Sequence, residues 1–271
     1  NPRTATPTAL NLAIAATSAP VVVRVDTASR VPPGYVDRVE ALLRTTGAAN
    51  VGGRQCAEAA EGFAAAVARA MASPLGSGGA AYRHGGVARA VDTVYLGAFR
   101  REALDAVGGF DERFVRNQDA ELNLRLRRAG FTVWLDPAIE VGYRPRGTVR
   151  GLWRQYLGYG RWRRATARRH PGSLGLRQLA APALVLGLAV GTLLALAGRV
   201  GGLALPGAVG PAVPVVLLAG GYGATIVLGA VSAVRDRPSA LPGVALALVT
   251  MHLAWGVGFL LGPPRDPWTS R

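Results

Sequence analysis

Lysine is absent from this chain, cysteine occurs once, and acids are scarce. All 31 basic residues are arginine, set against 16 Asp and Glu, for a formal net charge of +15 over 271 residues. Excluding lysine entirely, beside abundant Ala and Gly, reads as a GC-rich coding bias and carries no functional weight. Cys56 alone excludes an intrachain disulfide framework and gives no metal pattern, while permitting a reduced compartment. The glycine-rich stretch PLGSGGAAYRHGG, residues 74–86, lacks the Gly-Lys-Ser ending of a P-loop. A mobile loop over a site is the reading left for it, and His84 by itself adds no chemistry.

Charge is missing altogether from residues 178–198, 200–234 and 238–264. A membrane-crossing helix needs about 20 apolar residues, so each interval can hold one. Pro206, Pro211 and Pro214 confine the middle helix to residues 213–234, because proline is not tolerated in a helix interior. The count expected is three spans, with two as the alternative. Most of the positive charge therefore lies ahead of a hydrophobic tail.

Residues 144–177 hold ten Arg and no acid. Next to apolar spans, such a run marks a cytoplasmic juxtamembrane segment, attracted to anionic headgroups by roughly 1 kcal/mol per charge. Trp153, Tyr156, Tyr159 and Trp162 are interleaved with the arginines, and aromatic side chains suit the headgroup layer. The Arg235-Asp236-Arg237 turn then also lies inside, and the C-terminus, with Ser270, outside. Nucleic acid is the competing partner for a basic patch, and the adjacent spans argue against it.

The opening residues resemble a secretory signal, with small residues at 16–19, but the n-region is weak and the apolar centre short. A helix over residues 8–17 fits better. It leads into VVVRV, residues 21–25, a β-branched run of the kind buried in a parallel sheet, with Asp26 at its carboxyl end. Ligands gather at that end in open α/β sheets. A helix (35–45), a strand (50–54), a helix (58–71) and a later strand (131–135) continue the alternation, which argues for an α/β fold.

RNQDAELNLRLRRAG, residues 116–130, puts Asp119 at the head of an arginine-studded helix that Gly130 is placed to end. Local rules alone make Asp119 a first-turn acid facing orphan amides. A proton-accepting role is the rival.

Several stretches, in order, resemble a membrane-bound family 2 glycosyltransferase with the GT-A fold, of succinoglycan or exopolysaccharide synthase type. They are NPRTATPTALNLAI, VVVRVDTASRVPPGYV, NVGGRQ, VGGFDERFVRNQDAELNLRLRRAGF, RQYLGYGRWR and MHLAWGVGFLLGP, and they cover most of the chain. The resemblance implies the C-terminal portion of a Rossmann-like GT-A domain over residues 1–143. A basic aromatic juxtamembrane segment follows over 144–177. A transmembrane region over 178–264 completes it, with helices near 178–198, 213–234 and 241–262. Such enzymes begin with a further β-α-β portion that holds the nucleotide base, so the chain is expected to be N-terminally truncated and to bind donor weakly by itself.

The same resemblance assigns roles. Asp119 matches the catalytic base of inverting members, although Gln118 replaces the companion acid. Asp26 matches the first acid of an Asp-x-Asp motif that holds Mg²⁺ or Mn²⁺ against the donor diphosphate. Ala28 stands where a second ligand would be, and Ser29 is the neighbour able to assist. Gly108, Gly109, Phe110 and Asp111 match the acceptor-facing loop, for which an ordinary turn is the bland alternative. Gln155, Arg161 and Trp162 form a loosely spaced variant of the Gln-x-x-Arg-Trp motif. In it Gln155 and Trp162 meet acceptor and Arg161 neutralises diphosphate, with membrane anchoring as the alternative. The implied partners are a nucleotide-sugar donor, in the first place a UDP-sugar, a lipid-linked or glycan acceptor, and membrane lipids. The implied location is the inner or plasma membrane, multi-pass, with the catalytic part cytoplasmic. A degenerate, non-catalytic relative that binds glycan or a protein partner is the alternative favoured by Gln118 and Ala28, and a basic membrane-surface module without sugar chemistry is a second.

Overall fold

The computed structural model describes residues 5–201 and 210–264. Pro206 and Ser270, invoked above, lie outside the described residues. In chain order the elements begin α1 (Thr6–Ala15), β1 (Val21–Val23), β2 (Ser29–Arg30), α2 (Tyr35–Thr46), β3 (Asn50–Ala57) and α3 (Gly62–Ala72). Next come the single turns α4 (Pro74–Ser77) and α5 (Ala81–His84), then β4 (Arg89–Ala90), β5 (Tyr95–Arg100), α6 (Arg101–Val107) and α7 (Gln118–Arg128). The chain continues through β6 (Val133–Tyr143), α8 (Val149–Arg169), α9 (Ala180–Gly201), α10 (Val213–Ala233) and α11 (Leu241–Leu261).

The strand order is β1-β5-β3-β6-β2, with β4 also paired to β6. β3 and β6 run parallel, whereas β1/β5, β3/β5, β2/β6 and β4/β6 are antiparallel. The expected parallel setting for the valine run is therefore corrected. β1 pairs antiparallel with β5, Val21 opposite Arg100 and Val23 opposite Ala98, and at the end of the strand order its valines are only half-buried.

Alternation along the strands loads both sheet faces. Val51, Leu96 and Ala98 join Tyr35, Val39 and Leu43 of α2 on one side. Phe99 and Ala49 meet Ala103 and Leu104 of α6 and Leu122 and Leu126 of α7 on the other. The result is a three-layer α/β sandwich, the class the alternating pattern indicated. Close strand approach dictates composition locally. A methyl group on Gly53, at the register shift between β3 and β6, would overlap the Ile139 carbonyl.

α7 ends where the sequence placed its stop, with Gly130 at φ +87°. Its middle is anchored through a buried ladder: Asn50 Nδ2 of β3 donates to Asn123 Oδ1 at 2.7 Å, and Asn123 Nδ2 donates to Thr93 Oγ1 at 2.8 Å. Toward the C-terminus, three helices among the described residues are long and apolar enough to cross a membrane. A second core forms where α3 and α8 pack on α10 and α11, through Ala66, Val67, Met71, Leu152, Ile226 and Leu248 among others.

Candidate active site

Asp26 follows β1 in the turn toward β2, and Asp119 sits in the first turn of α7. Arg24 joins them. Its backbone N–H extends the β1/β5 ladder to the Gly97 carbonyl at 3.1 Å, which fixes where the side chain departs. The guanidinium, 7% exposed, donates from Nε and one terminal nitrogen to Asp26 Oδ1 at 3.0 and 2.8 Å. The other terminal nitrogen pairs with Asp119 Oδ1. The planar fork of arginine allows one buried cation to orient two carboxylates, which a lysine cannot do as well. Both acids remain partly open to solvent, at 39% and 44% of side-chain exposure.

No side-chain cap closes the start of α7; the cap residue is Asn117, in the left-handed region at φ +62°. A non-glycine residue there is uncommon, and Asn is among those that tolerate it. Asn117 Nδ2 donates to Thr166 Oγ1 of α8 at 2.9 Å, which ties α7 to α8. One turn on, fully buried Glu121 receives Arg125 at 2.7 and 2.8 Å and lies 2.9 Å from His170 Nε2.

The loop expected to face acceptor is held from two sides. Gly108 and Gly109 both have positive φ, +75° and +67°, and Arg125 donates to the Gly109 carbonyl at 2.8 Å. Asn11 of α1 reads the Phe110 backbone through two bonds, 2.8 and 2.9 Å. The Phe110 ring points inward, 3% exposed, edge-on to Phe99 at 6.2 Å, so as a side chain it is core and not an acceptor contact. Asp111 is bound by Arg113 through its backbone N–H and guanidinium at 2.7 to 3.0 Å. Burial raises its pKa, but the Arg113 bonds outweigh that and hold it below the ordinary carboxylate value.

Gln155 donates to the hydroxyls of Tyr143 and Tyr159 at 2.7 and 2.9 Å. Trp162 is 9% exposed and packs on Phe114, and Tyr156 is 6% exposed. The aromatic row of α8 therefore does not form one headgroup-facing stripe: Trp153 faces out while Tyr156 and Trp162 face the protein. Arg161 has a buried Nε without a partner, and among the described residues no ion pair joins it to Asp26 or Asp119. Ser29, beside Ala28, is taken up by the Tyr95 hydroxyl at 2.5 Å. Burial raises the Tyr95 pKa, which keeps that phenol a donor.

Sequence reasoning missed Arg24. Its signal was present: Arg24 and Asp26 are two apart, hence on one face of an extended segment. The tyrosine cluster of Tyr82, Tyr95, Tyr143, Tyr156 and Tyr159 left no such signal, because its members come from four separate elements.

Residues 7–209 match the family described as Glycosyl transferase family 21. The chain belongs to that family. This glycosyltransferase is 35% identical over 264 residues to the succinoglycan biosynthesis protein ExoA of Rhizobium meliloti (strain 1021), covering 96% of this chain and 75% of ExoA. In fold it is similar to the mannosyltransferase PcManGT from Pyrobaculum calidifontis, solved in complex with GDP-Man and Mn²⁺. The TM-score is 0.51 at 18% identity, over 92% of this chain and 67% of PcManGT. These likenesses bear out the expected GT-A architecture, the exopolysaccharide-type relationship and enzymatic glycosyl transfer.

Proposed function

We propose that this glycosyltransferase moves a sugar from a nucleotide-sugar donor, in the first place a UDP-sugar, to a lipid-linked or polysaccharide acceptor, with inversion, at the cytoplasmic membrane face. One observation carries the reading: Arg24 places the carboxylates of Asp26 and Asp119 on a single guanidinium, both partly open to solvent. Asp119 takes the proton of the acceptor hydroxyl as its oxygen attacks the anomeric carbon. The nucleotide diphosphate leaves from the opposite face of the sugar, so the configuration inverts. Arg24 holds both acids in place throughout.

The mannosyltransferase PcManGT is solved with Mn²⁺. Among the described residues no group of three or more His, Cys, Asp or Glu converges to hold a metal, Ala28 offers no ligand and the Ser29 hydroxyl is engaged. What fits is the single-carboxylate mode, in which Mg²⁺ or Mn²⁺ takes one protein oxygen and completes its shell with substrate phosphate and water. Asp26 would supply that oxygen, and the cation would neutralise charge on the departing diphosphate.

The arginines of α8 and the apolar helices after it support a membrane location, and the positive-inside rule puts the catalytic part in the cytoplasm. The test is incorporation of radiolabelled sugar into membrane lipid extracts by the protein in its natural full length. Transfer that is lost in Asp119→Asn supports the reading, and unchanged transfer in that variant contradicts it.

A further inference from the structure

Both ends of α11 are held by elements that precede the apolar tail. At its amino end, Arg69 of α3 donates to the two carboxylate oxygens of Asp236 at 2.6 and 2.8 Å, in the turn between α10 and α11. The same side chain reaches the Ala233 carbonyl at 3.4 Å. Midway, His252 Nε2 lies 3.0 Å from the carbonyl of Leu75 in α4. At its carboxyl end, Arg164 of α8 donates to the Phe259 carbonyl at 3.2 Å and to that of Leu260.

α8 and α11 run side by side in the same direction, with Leu157 against Gly258 and Arg164 against Gly262. They touch backbone to backbone: a methyl group on Gly160 would overlap the Trp255 carbonyl, and one on Gly258 the Leu157 carbonyl. Of the apolar stretch of α11, 44% is buried in the protein, against 11% for each of the other two long apolar helices.

A helix of 21 residues is about 30 Å long, the thickness of the hydrocarbon layer. If α11 crossed, Arg69 and Arg164 would stand at opposite faces of the bilayer. Neither has that freedom. α3 shares one apolar core with α8, α10 and α11, against which Ala57 of β3 and Tyr143 of β6 also pack, and α8 is tied to α7 through Asn117 and Thr166, two residues beyond Arg164. Arg116, just ahead of α7, also lies against Gly158 of α8. Drawing α8 into hydrocarbon would immerse the arginines along its length, Arg150 to Arg169, each of them costly at the bilayer centre.

We infer that α11 does not cross the bilayer but lies along the lipid surface on the catalytic side. α3, α4 and α8 cover one flank, α9 and α10 pack beside them with Gly256 against Ala181, and the remaining surface, with Leu246 and Leu261 exposed, is turned to lipid. Apolar character all round the helix suits an element buried by protein on one flank and by acyl chains on the other. α9 and α10 remain as a hairpin that crosses twice. Its two bases are joined to the same domain, by Arg163 with Gln178 at 2.8 Å and by Arg69 with Asp236. This inference rests on the membrane location proposed above and not on the chemistry.

Sidedness decides it, independently of activity. The full chain with Cys56→Ser receives single cysteines at Arg168, Gly210, Ser239 or Pro264, all exposed. Sealed inside-out and right-side-out vesicles are treated with a membrane-impermeant maleimide. Labelling at positions 168, 239 and 264 from one face, and at 210 from the other, is the expected result. Labelling at 264 from the face that labels 210 overturns the inference, and Pro263→Cys gives the same reading if Pro264→Cys does not accumulate. A sugar-transfer failure leaves this outcome unchanged.

Discussion

Asp26 and Asp119 meet on one guanidinium, that of Arg24, which donates at 2.8 Å to the first and pairs directly with the second. The strand end and the helix start that carry the two acids are remote in sequence. One buried side chain therefore bridges them.

Arg24→Ala is expected to lower turnover by about 10- to 100-fold, from loss of hydrogen bonds to charged groups worth about 1.5–3 kcal/mol. Arg24→Lys should restore little, because an ammonium cannot reproduce the two-sided fork. Steady-state kinetics on both variants check this. Full rescue by lysine would show that Arg24 supplies charge without positioning.

Asn117 is the strained residue of the site. Asn117→Gly keeps the left-handed backbone but loses the bond to Thr166. Asn117→Val loses the bond and adds backbone strain, of order 1–3 kcal/mol. Thermal unfolding should rank wild type above Gly above Val, with turnover following the same order. A valine variant as stable as the glycine variant would contradict the strain argument.

Asp111 gives a pH signature. Its pKa is depressed in the folded state, so its stabilisation is fully present above the unfolded value of about 3.9 and is lost as pH falls through the folded value. Asp111→Asn should therefore be less stable than wild type near neutrality, with the gap closing below about pH 4. Denaturant midpoints measured across that range test it, and a pH-independent gap would assign the effect to packing.

The helices and their stops were legible because they depend on local chemistry. Gly130 ends α7 by its positive φ, and the charge-free intervals predicted α10 and α11 to within a residue or so. The direction of β1 was not legible, since a valine run has the same composition beside a parallel or an antiparallel neighbour. Nor was the inward turn of Phe110 and Trp162. Aromatic residues near a functional motif carry no sign of the face they take, and here Phe99 and Phe114 decide it. The role proposed for Asp119 rests on the motif around it; Arg24, which pairs with it, becomes evident once β1 and α7 are side by side.

The most direct test of the central claim is the anomeric configuration of the transferred sugar. The full-length protein in membranes would be given a UDP-sugar of known configuration and its acceptor. The product's anomeric proton coupling would then be read by NMR, beside turnover for Asp119→Asn. Single displacement with Asp119 as base predicts an inverted product, and a loss of at least about 10²-fold in turnover for the variant with donor affinity little changed. A product of retained configuration, or an Asp119→Asn enzyme with near-normal turnover per folded molecule, would contradict it.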